Sequence, residues 1–168
     1  WPRHAVCPQS TIRFICPDAR IARVCGRSAG AQLIPLVIGM NHNTAALDLR
    51  ERLAFAPQEQ DAALKSLVQA TLSQEAMLLS TCNRTELYLV LDEADAGAAE
   101  STLNAALQWL AIDRGLDNRQ LIEACYGKQG DEAFAHMVQV AAGLDSLVLG
   151  EPQILGQMKS AWSVAQDA

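Results

Sequence analysis

Aromatic side chains are scarce here, at 5% of the sequence, so any core must be assembled mainly from Leu, Val, Ile and Ala. No apolar run approaches the roughly 20 residues that span a bilayer, and a soluble, cytoplasmic chain with no membrane partner is the expectation. The five cysteines are an odd number and none forms a CxxC pair. Arg and Pro also interrupt every apolar stretch near the start, which leaves no secretory segment and argues against a disulfide scaffold. His4, Cys7, Cys16 and Cys25 could be imagined around zinc, but the gaps between those cysteines match no common ligand spacing, and no metal is expected. Repeats, low-complexity tracts and a GxGxxG phosphate loop are all missing.

What is present suits one domain with a real core, or one domain plus an appendage: 168 residues, 50% apolar and 19% charged. The net charge of −6 is uneven. Residues 1–33 hold five arginines (Arg3, Arg13, Arg20, Arg23, Arg27) against Asp18, whereas acidic residues far outnumber basic ones in the remainder. An acidic body repels phosphate backbones at long range, so composition alone does not suggest a nucleic-acid substrate.

The first 33 residues contain no Lys and show neither a period of 2 nor one of 3.6. An Arg-rich transit segment, a disordered arm, and upstream sequence translated with the gene are the three readings. The last is preferred, because the first Met is Met40, already inside a patterned segment. Residues 1–33 are therefore expected to be an unstructured or non-native extension.

Order begins at Leu33. Ile34–Gly39 reads as a buried strand, and Ala76–Ser80 as a second. Thr85–Leu91 alternates, with Leu87, Leu89 and Leu91 on one side and Glu86, Tyr88 and Val90 on the other, which predicts a third strand. Between the first two strands Pro57 opens a helix whose apolar face is Ala63, Leu64, Leu67 and Val68. Ala99, Leu103, Ala106, Leu107 and Leu110 mark a second helix, and a short edge strand is expected around Ala124–Tyr126. A third helix over 131–142 is expected to turn Ala133, Phe134, Met137, Val138 and Ala141 inward. A last helix from about Pro152 carries Ile154, Met158, Ala161 and Ala165, with no Gly or Asn stop before Ala168. This order predicts an α+β fold: a ferredoxin-like antiparallel sheet with helices on one face, followed by the start of a long connecting helix.

One stretch invites chemistry: Ser80-Thr81-Cys82-Asn83-Arg84-Thr85-Glu86, set between two predicted strands. Cys82 should sit on a tight connection, and a thiolate is the nucleophilic form, favoured by a neighbouring cation. Arg84 could supply that field or bind a carboxylate bidentately. Thr81, Asn83 and Thr85 add short polar groups fit for a small polar ligand. From the residues alone a half-buried structural cysteine fits as well.

His136 falls beside the apolar stripe of the third helix, on the side of Ala133 and Val140, where a boundary role competes with a catalytic one. His42 follows the first strand and reads equally as a loop residue. Cys125, Trp109 and Trp162 read as core or packing residues. In the segment from Gly143 to Gln157, Pro152 opens the last helix and Glu151, Gln153 and Gln157 cluster at its N-terminal end. A capped helix start is the plainer reading.

Three blocks change that balance when taken together. Gly39-Met40-Asn41-His42-Asn43-Thr44-Ala45 with Leu49-Arg50-Glu51-Arg52, then Ser80 through Glu86, then Gly143 through Gln157, closely resemble the signature blocks of glutamyl-tRNA reductases, in order and at about the family's spacing. The resemblance covers Ile34 to Ala168. It implies a catalytic domain over 34–150 and the start of a connecting helix over 151–168. An NADPH-binding domain and a helical dimerisation domain follow in the family, and neither is in this sequence. NADPH as cofactor, glutamyl-tRNA as substrate and a homodimer formed through those further segments are what it implies. The implied reaction reduces tRNA-borne glutamate to glutamate semialdehyde, the first committed step from glutamate towards tetrapyrroles.

By the same resemblance Cys82 is the nucleophile and His136 matches a histidine on which the family's activity depends. Thr81, Asn83 and Arg84 would line the glutamate pocket, with Ser146, Glu151, Pro152, Gln153 and Gln157 completing substrate binding. The sequence departs from the family pattern at Gln139, where a basic residue is common, and at Ala46, where Pro often stands. Two other classes stay in play: a cysteine-dependent acyl esterase, and a tRNA-binding fragment with an incidental cysteine.

Overall fold

The computed structural model describes residues 33–71, 73–150 and 153–168. The expected extension over 1–33 therefore lies almost wholly outside the described residues. In chain order the elements are β1 (Leu33–Asn41), α1 (Leu47–Leu53), a 3-10 turn (Pro57–Glu59), α2 (Gln60–Ala70), β2 (Glu75–Ser80) and β3 (Arg84–Asp92). A 3-10 stretch (Glu93–Ala98), α3 (Ala99–Arg114), α4 (Asn118–Ala124), β4 (Tyr126–Gln129), α5 (Gly130–Ala141) and α6 (Gln153–Asp167) complete it.

The four strands form one sheet in the order β2-β3-β1-β4, and every neighbouring pair is antiparallel. β1 and β2 are thus parallel to each other with β3 between them, which is the split βαβ arrangement of ferredoxin-like folds. The predicted α+β class holds.

The alternation in β3 decides where the helices go. Leu87, Leu89 and Leu91 join Leu36, Ile38 and Met40 of β1 in a core closed by Leu53, Leu64, Leu67, Leu110 and Leu121, so α1 to α4 cover that face. Val37, Leu79 and Tyr88 point the other way, into a second core with Ala133, Val140, Ile154, Met158 and Ala161. Helices on one face describes the first four. α5 and α6 bury the opposite face, because β3 offers large side chains on both sides and an antiparallel sheet leaves one face wet only when that face is polar.

Other boundaries also differ from expectation. Two short helices, α1 and α4, lie where the pattern predicts none, and Ala124 ends α4 so that β4 begins at Tyr126. Val68 is exposed, which narrows the buried stripe of α2 to Ala63, Leu64 and Leu67. On α5 the buried residues are Ala133, His136 and Val140, while Val138 is half exposed. The helix is rolled so that an imidazole, not Val138, faces the sheet. Trp162 is exposed, whereas Trp109 is buried, stacks on Phe55 and donates its indole N–H to Ser66 Oγ at 3.0 Å.

β1 and β3 approach closely at a glycine. Gly39 pairs with Glu86 across the two strands, and a methyl group placed on it would meet Thr85 O at 2.4 Å and Glu86 Cγ at 2.7 Å. Gly39→Ala is expected to destabilise the fold by about 1–3 kcal/mol, the usual penalty of overpacking. The measurement is a lower urea midpoint at unchanged slope; a midpoint equal to wild type would mean that the approach is not tight.

Candidate active site at the sheet end

The exit of β1, the β2–β3 hairpin and the loop before α6 meet at one end of the sheet. The hairpin is closed by Thr81 N–H donating to Arg84 O at 2.8 Å. The Thr81 hydroxyl accepts the N–H groups of Asn83 and Arg84 at 3.2 and 3.1 Å. A short side chain that satisfies two backbone donors fixes such a turn. Cys82 and Asn83 are left at the tip, and Cys82 is exposed with a free thiol. The expected tight connection is there.

The cation beside Cys82 is not the one that the sequence suggests. Arg84, first residue of β3, is only 2% exposed. Its Nη1 donates to Glu86 Oε1 at 2.9 Å and to Asp145 Oδ2 at 3.0 Å, and its Nη2 donates to the Asp145 carbonyl. Arg84 therefore points along the second core face rather than at the tip. The guanidinium that reaches Cys82 belongs to Arg50 of α1, whose Nη1 donates to Cys82 O at 2.9 Å and to Asn83 Oδ1 at 3.2 Å.

Glu86 is the centre of a buried polar cluster. It is fully buried, and it accepts hydrogen bonds from Arg84, from Tyr88 and Tyr126 hydroxyls, and from His136 Nε2 at 2.8 Å. Burial by itself would raise its pKa. The His136 hydrogen bond, the Arg84 charge and the two phenols outweigh that and hold the carboxyl below the usual range. Arg84 likewise stays charged, since its carboxylate partners more than offset its burial. Because an ionised carboxylate only accepts, His136 Nε2 must carry the proton in this contact, which leaves Nδ1 as the other nitrogen. Tyr126 packs edge-on against the imidazole, with ring centroids 5.3 Å apart. Burial, followed by the Glu86 charge, pushes both phenols far above their ordinary value.

Asp145 ties the loop before α6 to this cluster. Besides Arg84, its Oδ2 accepts from Asn41 Nδ2 at 3.3 Å. Asn41 also organises the turn after β1, taking the Asn43 N–H on its side-chain oxygen at 2.9 Å. Ser146 is half-buried beside Asp145, whereas Gln153 and Gln157 are exposed on α6. Glu151 and Pro152 lie outside the described residues. Leu144, Leu147, Val148 and Leu149 stand exposed on the same loop, an apolar rim at this end of the sheet.

Of the residues expected from sequence, the structure places Thr81, Cys82, Asn83 and Arg84 on one hairpin. It links Arg84 through Glu86 to His136, and through Asp145 to the loop holding Ser146. It shows no hydrogen bond from Gln153 or Gln157 to that group among the described residues. Arg50, Glu86, Asp145 and Asn41 also join the site; all four fall inside the three quoted blocks, but sequence reasoning gave none of them a role there. The available signal for Glu86 is an acid at the start of a strand whose next five residues, Leu87 to Leu91, are apolar or aromatic.

Glu86, His136 and Asp145 each bring a ligand-type atom within 4.8 Å of the others, the spacing of a metal cluster. Yet Arg84 already bonds both carboxylates, so the positive charge such a set requires is supplied by a guanidinium. A metal ion would have to displace it.

The family described as Glutamyl-tRNAGlu reductase, N-terminal domain, matches residues 38–168. The glutamyl-tRNA reductases of Stutzerimonas stutzeri and Teredinibacter turnerae are 51% and 50% identical to this chain over 133 residues, which are 79% of the chain and 30% of each relative. The solved glutamyl-tRNA reductase from Methanopyrus kandleri superposes with a TM-score of 0.59 at 26% identity, covering 79% of this chain and 28% of that one. The chain thus spans about 30% of the length of the curated relatives it matches. No helix among the described residues is long and apolar enough to cross a membrane.

Proposed function

The chain belongs to the glutamyl-tRNA reductase N-terminal domain family, and on that premise we propose that it is the acyl-accepting catalytic portion of such an enzyme. Cys82 attacks the ester carbonyl joining glutamate to the terminal ribose of its tRNA. A C–S bond forms, the C–O bond to the ribose breaks, and the ribose oxygen leaves as a hydroxyl after taking up a proton. The product is a glutamyl thioester on Cys82.

The observation that carries this reading is the exposed thiol at the tip of a rigid hairpin, backed by a buried ion-pair cluster that fixes His136 and the neighbouring loop. Residues 34–150 form the catalytic domain in this reading, 151–168 begin the connecting helix, and 1–33 are an extension. Within it Asn83 keeps a place in the glutamate pocket beside Cys82. Thr81 serves the pocket by holding the turn, and Arg84 by anchoring the Asp145–Ser146 loop. Ser146, Glu151, Pro152, Gln153 and Gln157 complete the substrate site in this reading. The setting is cytoplasmic tetrapyrrole synthesis.

Reduction of the thioester to glutamate semialdehyde needs a hydride, which the family resemblance assigns to NADPH. A dinucleotide site of the usual kind needs a strand running into a Gly-rich turn and a helix within a parallel sheet. The sheet here is antiparallel throughout and the chain has no GxGxxG. These residues do not fit the cofactor, so the hydride step belongs to segments that the longer relatives add, and in this reading the homodimer forms through those segments too.

The test is mass spectrometry of the chain after incubation with glutamyl-tRNA. A glutamyl adduct on the Cys82 peptide, cleaved by neutral hydroxylamine, is expected. Binding of tRNA with no adduct would instead make the chain a binding module, and an adduct that hydrolyses within each turnover would make it an esterase.

A further inference from the structure

Among the described cations, Lys65, Arg84, Arg114 and Lys128 are each in contact with a carboxylate. Arg52, Arg119 and Lys159 are exposed and form no ion pair among the described residues, whereas Arg50 is half-buried and forms none either, although it stands beside the proposed nucleophile in an acid-rich chain. Its Nη1 is shared between Cys82 O and Asn83 Oδ1, and its Nε is buried without a hydrogen-bond partner. The helix that carries it is anchored to both strands of the hairpin. Leu53, at the end of α1, is fully buried and its carbonyl accepts from Thr85 Oγ1 at 3.3 Å, while Phe55 N–H donates to Ser80 Oγ at 2.9 Å. Arg50 lies three residues before Leu53, so its approach to the tip is set by the fold and not by a loose surface side chain.

We propose that Arg50 is a positioning residue for Cys82. Its guanidinium clamps the carbonyl of the nucleophile and the Asn83 side chain, fixing how the tip presents the thiol. It also keeps an uncompensated positive charge there, which favours an acyl group bearing a carboxylate over a neutral one. The guanidinium does both tasks on a short, planar and preorganised head, whereas a lysine keeps the charge on a flexible stem that holds the two acceptors less firmly. The inference rests on the proposed function only in taking Cys82 as the attacking group.

Alkylation of Cys82 in the full chain, followed by peptide mass, tests this without tRNA. For Arg50→Gln the ratio of iodoacetate to iodoacetamide rates is expected to fall about three- to tenfold, the scale of one partly screened charge at a few ångströms. Arg50→Lys should keep the ratio within about twofold of wild type, and so should Arg52→Gln, which removes an exposed charge from the same helix. A ratio unmoved in Arg50→Gln, or an equal fall in Arg52→Gln, overturns the proposal. Should Arg50→Gln fail to melt cooperatively, Arg50→Lys carries the test: glutamyl transfer to Cys82 is expected to drop about tenfold or more as the clamp loosens, and unchanged transfer overturns it. If wild type takes no glutamyl group while the alkylation ratio responds as expected, the proposed reaction fails and the role of Arg50 stands.

Discussion

Glu86→Ala is expected to destabilise the domain by about 3–5 kcal/mol, the range found when one partner of a buried ion pair is removed. With total stabilities of roughly 5–15 kcal/mol, that is about a fifth or more of what holds a small domain folded. Four donors lose their acceptor at once: the Arg84 guanidinium, the His136 Nε2–H and the Tyr88 and Tyr126 hydroxyls. Arg84 would retain only Asp145. Glu86→Gln separates charge from volume, since it keeps the shape and one acceptor oxygen; at least about 2 kcal/mol of the loss should remain. A Gln variant within about 0.5 kcal/mol of wild type in urea unfolding would show that the carboxylate charge is not what binds the cluster.

The same residue sets an acid limit. Its folded pKa is depressed, so the stabilisation is complete above the pKa of a free glutamate, roughly pH 4.3, and drains away as the pH falls further through the folded value. Wild type should therefore lose stability steeply on that side, and Glu86→Gln should have a flatter acid limb. Function follows through geometry. With His136 and the Asp145 loop no longer held, glutamyl transfer should fall on the order of 10²-fold even where Glu86→Gln remains folded, the usual consequence of displacements near 1 Å.

Much of the framework is legible in periodicity, and the misses have specific causes. The alternation of Leu87, Leu89 and Leu91 places β3 correctly, but it gives no sign that Glu86 and Tyr88, on the other side, are buried too. Glu86 is buried because its charge is met by residues distant in sequence: His136 lies 50 positions away and Tyr126 lies 40. No window of local pattern reports such a partner. The same cause rolls α5 onto His136 and leaves Val138 outside. α1 and α4 have seven residues each, about two turns, too few for a 3.6-residue period to declare itself. Nearness in sequence links Arg84 to Cys82, but the Arg84 guanidinium is taken up by Glu86 and Asp145. Once a strand begins, a neighbour two positions along can face a different environment, and the guanidinium at the tip comes from 32 residues upstream.

Cys82→Ala should separate activity from stability. An exposed side chain at a hairpin tip contributes little to the fold, so unfolding is expected within about 0.5 kcal/mol of wild type. Acyl transfer, by contrast, should fall by about 10⁴–10⁶, the scale of deleting a nucleophile that forms the covalent intermediate. Cys82→Ser should not rescue it, because a hydroxyl lacks the accessible anionic form of a thiol and has no hydrogen-bonded base at this tip among the described residues. Nor can the other described thiol substitute. Cys125 is packed against the first core, and burial pushes its pKa up to about 12, so at neutral pH it is almost wholly protonated. Cys125→Ala should accordingly lose some packing and keep glutamyl transfer. A hydroxylamine-sensitive adduct that survives in Cys82→Ala and disappears in Cys125→Ala would place the chemistry on the wrong side of the sheet for everything built around the hairpin.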